Sequence, residues 1–306
     1  MSRRPHRTMP SPQARLIARG LRRLIKPRRF TRKDIPLVRA LMHTLTRARL
    51  PAGVTAERVK APVRGEWLRP QQARRGRVLL YLHGGGYICG APRTHRAITA
   101  RLAKRLGIAV FALDYRLAPE HPYPAALEDA LAAWRWLLGR GYRADRIWLA
   151  GDSAGGGLAL ALMLAAQRDG LPLPGACAVF SPWTDLACTG TAIEENIDRC
   201  AWFMPAQVRF AAGLYAGTTA TTDPLVSPLY GDLTGLPPLI LHASDSELLR
   251  DDTLRLAERA GAAGVPVTLK LWHGLPHAWP NFAGLMPEGD ACLNEAADAL
   301  LALPTR

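Results

Sequence analysis

The chain has 306 residues, a hydrophobic fraction of 48% and a formal net charge of +15. That length can bury a large core, and mixed helix–strand chains of this size often form one domain. The charge looks like that of a nucleic-acid binder until it is located. Residues 1–50 hold 15 of the 40 basic side chains against one acid, Asp34, and the remainder carries 25 basic and 24 acidic groups. No nucleic-acid module and no aromatic interleaving accompany the basic stretch, so no nucleic-acid partner is expected. The longest apolar run, residues 154–166, spans 13 residues and is too short to cross a bilayer. The basic start is not followed by the apolar segment and cleavage site of a signal peptide. Five cysteines, Cys89, Cys177, Cys188, Cys200 and Cys292, are odd in number, widely spaced and without a CxxC pair. They suit small buried thiols in a reducing, cytoplasmic compartment rather than a disulfide framework or a zinc ribbon.

The first element is the stretch "PQARLIARGLRRLIK", residues 12–26. Ile17, Leu21, Leu24 and Ile25 recur at helical spacing, and Arg15, Arg19, Arg22, Arg23 and Lys26 fall largely elsewhere, which gives a basic amphipathic helix. Such a helix either packs its apolar stripe on the body with its arginines in solvent, or lies on an anionic membrane surface. Residues 34–50 read as a second helix. Strand patterns follow at "VRGEWL" and "RVLLYLH", then a helix at "HRAITARLAKRL", a strand at "IAVFALDY" and a helix at "YPAALEDALAAWRWLLG". "RIWLA" leads into "GDSAGGGLALALMLAAQRDG", a turn that opens a buried helix. Three more strands, "ACAVFSPW", "PPLILHAS" and "VTLKLW", come next, with the helix "DDTLRLAERAGAAG" between the last two and a final helix over "GDACLNEAADALLAL". Apolar strands alternating with helices imply a largely parallel sheet covered on both faces. Residues 184–224 break the alternation: they lack a strand pattern, include the helical "AWFMPAQVRFAAGLYAG", and have the length of a lid over a site. The expected organisation is a basic helical N-terminal segment, residues 1–60, and a catalytic domain, residues 61–306, interrupted near 184–224.

"GDSAG", residues 151–155, is G-x-S-x-G after a strand and before a helix, a tight turn that exposes one serine, Ser153. A serine that attacks an acyl carbon creates an oxyanion, which needs backbone N–H donors aimed at empty space. In the hydrolase arrangement these come from the residue after the nucleophile, here Ala154, and from a glycine-rich loop after an earlier strand, here His83-Gly84-Gly85-Gly86. His83 is expected to organise that loop rather than carry protons. The serine needs a base, and the base needs a carboxylate to fix its tautomer, in the chain order Ser, acid, His. The segment "SDSELLRDD" after a strand offers Asp245, Glu247, Asp251 and Asp252. Asp245 lies nearest the strand end, and Asp251 and Asp252 start a helix, where acids favour the dipole. In "WHGLPHAW", His273 stands at the strand's edge and His277 on the loop behind Gly and Pro, which favours His277. His242 lies within a strand, and His6, His43, His95 and His121 precede the serine, so none of these is expected to act. Trp202, Phe203, Phe210 and Tyr215 on the insertion are candidates for pocket walls or for packing within it.

Six ordered stretches, "HGGGY", "DYRLAPEHPYPAALEDA", "GDSAGG", "SPWTDL", "SPLYGDLTGLPPLILHASDSELLRDD" and "GLPHAW", resemble the bacterial esterases related to hormone-sensitive lipase over roughly residues 60–300. The resemblance implies the α/β-hydrolase fold, an eight-stranded mostly parallel sheet with a helical cap built from the N-terminus and an insertion. It implies Ser153 as nucleophile, Asp245 as the acid of the triad and His277 as base, with Gly84, Gly85 and Ala154 as oxyanion donors and Gly86 beside them. Asp152 matches a position where the family has Asp or Glu next to the nucleophile. The implied activity is hydrolysis of short- to medium-chain carboxylic esters through an acyl-enzyme, with a small-molecule ester as partner and no metal or organic cofactor. A lactone hydrolase or an amide deacetylase would use the same chemistry, and a non-catalytic ligand-binding protein of the same fold would lack the histidine that this chain retains. The sequence leaves room for a homodimer and for membrane contact through the basic helix. The N-terminal fifty residues depart from the family in their charge.

Overall fold

The structure is a computed structural model that describes residues 9–26, 28, 31–46 and 49–304. His6 lies outside the described residues. Eight strands form one sheet: β1 (Val54–Val59), β2 (Gly65–Pro70), β3 (Val78–Leu82), β4 (Ala109–Leu113), β5 (Ile147–Asp152), β6 (Ala176–Phe180), β7 (Leu239–Ser244) and β8 (Val267–Trp272). Their order is β1-β2-β4-β3-β5-β6-β7-β8, antiparallel at β1–β2 and β2–β4 and parallel from β4 to β8. The helices are α1 (Pro12–Leu24), α2 (Ile35–Leu45), α3 (Arg96–Leu106), α4 (Ala125–Gly139), α5 (Ala154–Arg168), α6 (Ala192–Glu195), α7 (Pro205–Ala216), α8 (Arg250–Ala262) and α9 (Pro287–Ala302). The sheet begins at Val54, inside the stretch that the sequence assigns to the N-terminal segment.

Alternation along the strands sorts the core into two layers. Val78, Leu80 and Leu82 of β3 face the cluster that contains α4 and α5, whereas Leu79 and Tyr81 face the cluster that contains α3 and α9. Residues 154–166 of α5 are all buried, as befits a helix packed into the middle of the domain. α7 starts at Pro205, where proline's fixed φ suits the first helical position, so Ala201–Met204 stay outside the helix. The five cysteines are buried free thiols.

Register sets where the site lies. Leu82 pairs with Gly151, Asp152 with Phe180 and Ser244 with Trp272. The loops that leave β3, β5, β7 and β8 therefore emerge along one edge of the sheet, outside the carboxyl ends of the parallel strands, where ligands of such sheets bind.

Candidate active site

Ser153 sits at the β5–α5 turn with φ 52° and ψ −124°. A non-glycine residue in such a conformation costs about 1–3 kcal/mol and persists only where its surroundings dictate it. Here its N–H donates to the Phe180 carbonyl at 2.9 Å, and its own carbonyl accepts from Gly156, Gly157 and Trp183. The turn is also crowded: a Cβ on Gly155 would lie 2.1 Å from the Leu82 carbonyl oxygen and 2.4 Å from that of His83. Glycine at 155 is thus a requirement of backbone approach.

The Ser153 Oγ lies 2.9 Å from Nε2 of His277. On the other side of the ring, Nδ1 is bonded to Oε2 of Glu247. The three residues are 8%, 3% and 0% exposed, so the whole chain of bonds is sheltered from water. The second Glu247 oxygen accepts the Ser244 N–H at 2.7 Å, which anchors the carboxylate to the end of β7. With a carboxylate at Nδ1, the proton sits there and Nε2 is left to accept from the hydroxyl.

Asp245 is not in that chain, and the expectation that it would hold His277 is corrected by the geometry. Its N–H still pairs with the Trp272 carbonyl at 2.8 Å, which continues the β7–β8 ladder one residue past the strand. The side chain is thereby turned to the start of the next loop, where it binds Nδ1 of His273 at 2.7 Å, the Gly274 N–H at 2.9 Å and the Arg199 guanidinium at 3.1 Å. Burial would raise its pKa, but Gly274, His273 and Arg199 outweigh it and hold the carboxyl below the usual carboxylate range. Glu247, two residues further on, is the acid within reach of His277.

A second correction concerns the glycine loop. The Gly84 N–H donates to Oδ1 of Asp152 at 2.9 Å, so it is not free to meet a substrate oxygen. Among the described residues no acceptor is found for the N–H groups of Gly85, Gly86 and Ala154. Gly85 and Gly86 have φ of +117° and +61°, values at which glycine avoids the strain of an L side chain. The loop is closed by Ile88 and Cys89 N–H groups on the Gly85 carbonyl.

Asp152 is the hub under this loop. Besides Gly84 it accepts from the Tyr81 hydroxyl at 2.6 Å and from Nδ2 of Asn281 at 3.0 Å, and it faces Nε2 of His95 at 3.4 Å. Burial would raise its pKa, yet the His95 charge and these bonds hold it far below the usual carboxylate range. His95, in turn, loses by burial but is raised overall by Asp152. His83 stacks between Tyr115 at 4.1 Å and His95 at 5.3 Å, bonds the Gly84 carbonyl through Nδ1, and is pushed down to about 4 by burial and by His95. His95, set aside on sequence order, is thus part of the support for the loop. Its only sequence signal is proximity to the glycine stretch, which does not reveal a partner in β5.

Of the aromatics on the insertion, Phe203 presents its edge to the His277 ring at 5.3 Å, and Trp202 stacks on Phe203. Tyr215 is instead buried and stacked on Tyr87 at 3.6 Å, joining α7 to the glycine loop as ordinary packing. His242 is a structural histidine that accepts from the Trp272 indole, and burial and Lys270 push it down to about 4.

A family model described as "alpha/beta hydrolase fold" matches residues 79–281. An acetyl-hydrolase from Streptomyces hygroscopicus is 45% identical over 240 residues, which cover 78% of this chain and 80% of that protein. Among solved structures, an esterase from the bacterial hormone-sensitive lipase family superposes with a TM-score of 0.88 at 41% identity, covering 96% of this chain and 98% of the other. The protein EstE5, in a crystal soaked with p-nitrophenyl butyrate, superposes with a TM-score of 0.90 at 34% identity, covering 95% and 98%.

Proposed function

The chain belongs to the alpha/beta-hydrolase family, on the branch of the bacterial hormone-sensitive-lipase-like esterases, and from that membership we propose that it is a serine carboxylesterase worked by Ser153, His277 and Glu247. The observation that carries the reading is the unbroken chain from the Ser153 hydroxyl through both ring nitrogens of His277 to a fully buried carboxylate. In the first step the Ser153 Oγ bonds to the ester carbonyl carbon while its proton passes to Nε2 of His277, and Glu247 stabilises the imidazolium. The negative oxygen is received by the N–H groups of Gly85, Gly86 and Ala154, each such donor being worth about 10²–10³ in rate. Collapse breaks the bond to the alcohol oxygen, which takes the proton from Nε2. Water then attacks the acyl-enzyme by the same route and releases the acid.

The segment carrying α6 and α7, together with α1 and α2, forms the cap in this reading. Phe203 beside the base favours a compact acyl group, and the similarity to an acetyl-hydrolase points the same way, so acetyl to butyryl esters are the proposed substrates. Turnover of p-nitrophenyl butyrate by the wild type and by Ser153→Ala tests the reading. Loss of activity in the variant is expected, and comparable rates would refute it.

A further inference from the structure

α1 departs at Leu24 from the apolar stripe that its sequence implies. Only Ala14 and Ala18 are buried, against the body at α9, and the N-terminus is pinned by Ser11, whose N–H and hydroxyl donate to the two oxygens of Glu288 at 2.6 and 2.9 Å. The large side chains divide: Ile17, Leu21 and Ile25 are half-buried, with Ile17 packed on the core, whereas Leu16 is 68% exposed and Leu24 63%. Leu16 and Leu24 thus stand outside the face that packs on the body.

Ten large hydrophobic side chains are exposed among the described residues, and five of them, Met9, Leu16, Leu24, Leu37 and Leu41, fall within residues 9–41. Met204 joins them, because the Gln207 side chain bridges the Met204 N–H and the Lys26 carbonyl. The same helix carries Arg15, Arg19, Arg22 and Arg23 with no acid on it, and none of the four has a carboxylate partner among the described residues. Exposed apolar side chains interleaved with unpaired cations on one helix match an anionic lipid surface: leucine enters the acyl boundary while arginine stays with the headgroups. No helix among the described residues is long and apolar enough to cross a membrane, so the contact would be a peripheral one.

We infer that α1, with the exposed leucines of α2, docks the protein on an anionic phospholipid surface. The docking face is joined to the site. Arg22 donates to the Arg199 carbonyl at 2.8 Å and Lys26 to that of Ile197, in the segment that also carries Asn196 and Phe203. Asn196 Nδ2 donates to the carbonyls of Asp245 and Glu247, and Phe203 touches His277. The docking helix is thus tied to the segment that holds Phe203 beside His277. The inference concerns binding and stands whether or not Ser153 proves to be a nucleophile.

Co-sedimentation of the full chain with phosphatidylglycerol–phosphatidylcholine vesicles, with pure phosphatidylcholine vesicles and with heparin beads tests it. Partition onto the anionic vesicles that weakens with salt is expected, with little onto the neutral ones. Arg19→Glu with Arg23→Glu should weaken partition by at least about tenfold, at roughly a factor of five per charge, and Leu16→Ser with Leu24→Ser should weaken it by about tenfold through lost apolar burial alone, while thermal stability stays unchanged because these side chains are exposed. Equal partition onto neutral and anionic vesicles, or none onto either, would overturn the inference. So would retention of anionic-vesicle binding by the leucine variant, which with heparin capture would mark a general polyanion surface instead.

Discussion

The carboxylate of Glu247 spans from the Ser244 N–H to Nδ1 of His277, tying the end of β7 to the loop after β8. Asp245, two residues earlier, secures a different part of that loop through His273 and Gly274. The two acids therefore have separable effects. Glu247→Ala should lower kcat on p-nitrophenyl butyrate by roughly 10³–10⁴, the scale for removing a triad acid. Asp245→Ala, which loosens a loop without touching the His277 ring, should cost about tenfold or less. Steady-state kinetics of both variants decide this, and a larger loss for Asp245→Ala would return the acid's role to that residue.

Asp152 makes a different demand. It takes the Gly84 N–H and faces a buried His95, so its removal frees the glycine loop and leaves Nε2 of His95 without its partner. Asp152→Ala should lower both the melting temperature and kcat, the latter by roughly 10–100-fold for a misplaced oxyanion donor. Asp152→Asn keeps an acceptor for Gly84 and should recover part of kcat. If both variants lose kcat equally while melting alike, the carboxylate acts other than through the loop.

His242 offers a pH signature. Its pKa is about 4 in the folded chain against 6.5 in the unfolded one, through burial and Lys270. Between these values the unfolded chain binds a proton that the folded chain refuses, so stability falls as pH drops from 6.5 towards 4. The loss from this group is on the order of 3 kcal/mol. His242→Gln can still accept from the Trp272 indole and should flatten the acid limb of a plot of unfolding free energy against pH. An unchanged limb would assign the acid sensitivity to His83, which is depressed in the same way.

The fold was legible wherever a strand is buried on both faces. Continuous apolar runs such as Val78–Leu82 and Ile147–Ala150 stand out, whereas β1, an edge strand with Thr55, Glu57 and Arg58 exposed, has no such run and passes for linker. The convergence of Ser153 and His277 could be read from two loops of recognisable type. The choice between Asp245 and Glu247 could not, because distance from the strand end says nothing about which residue the ladder still holds. Gly84 illustrates a further limit: a motif names the amides available, and a carboxylate from another strand decides which of them is already taken.

Covalent trapping shows whether Ser153 is the nucleophile. Diethyl p-nitrophenyl phosphate should phosphorylate the Ser153 Oγ with release of p-nitrophenolate, because phosphorus accepts the activated oxygen as an acyl carbon would. Intact-mass and peptide analysis should then find one diethylphosphoryl group per chain, on Ser153, absent from Ser153→Ala and slow to form in Glu247→Ala. A label on another residue, or one that forms as fast without Ser153, would contradict the account.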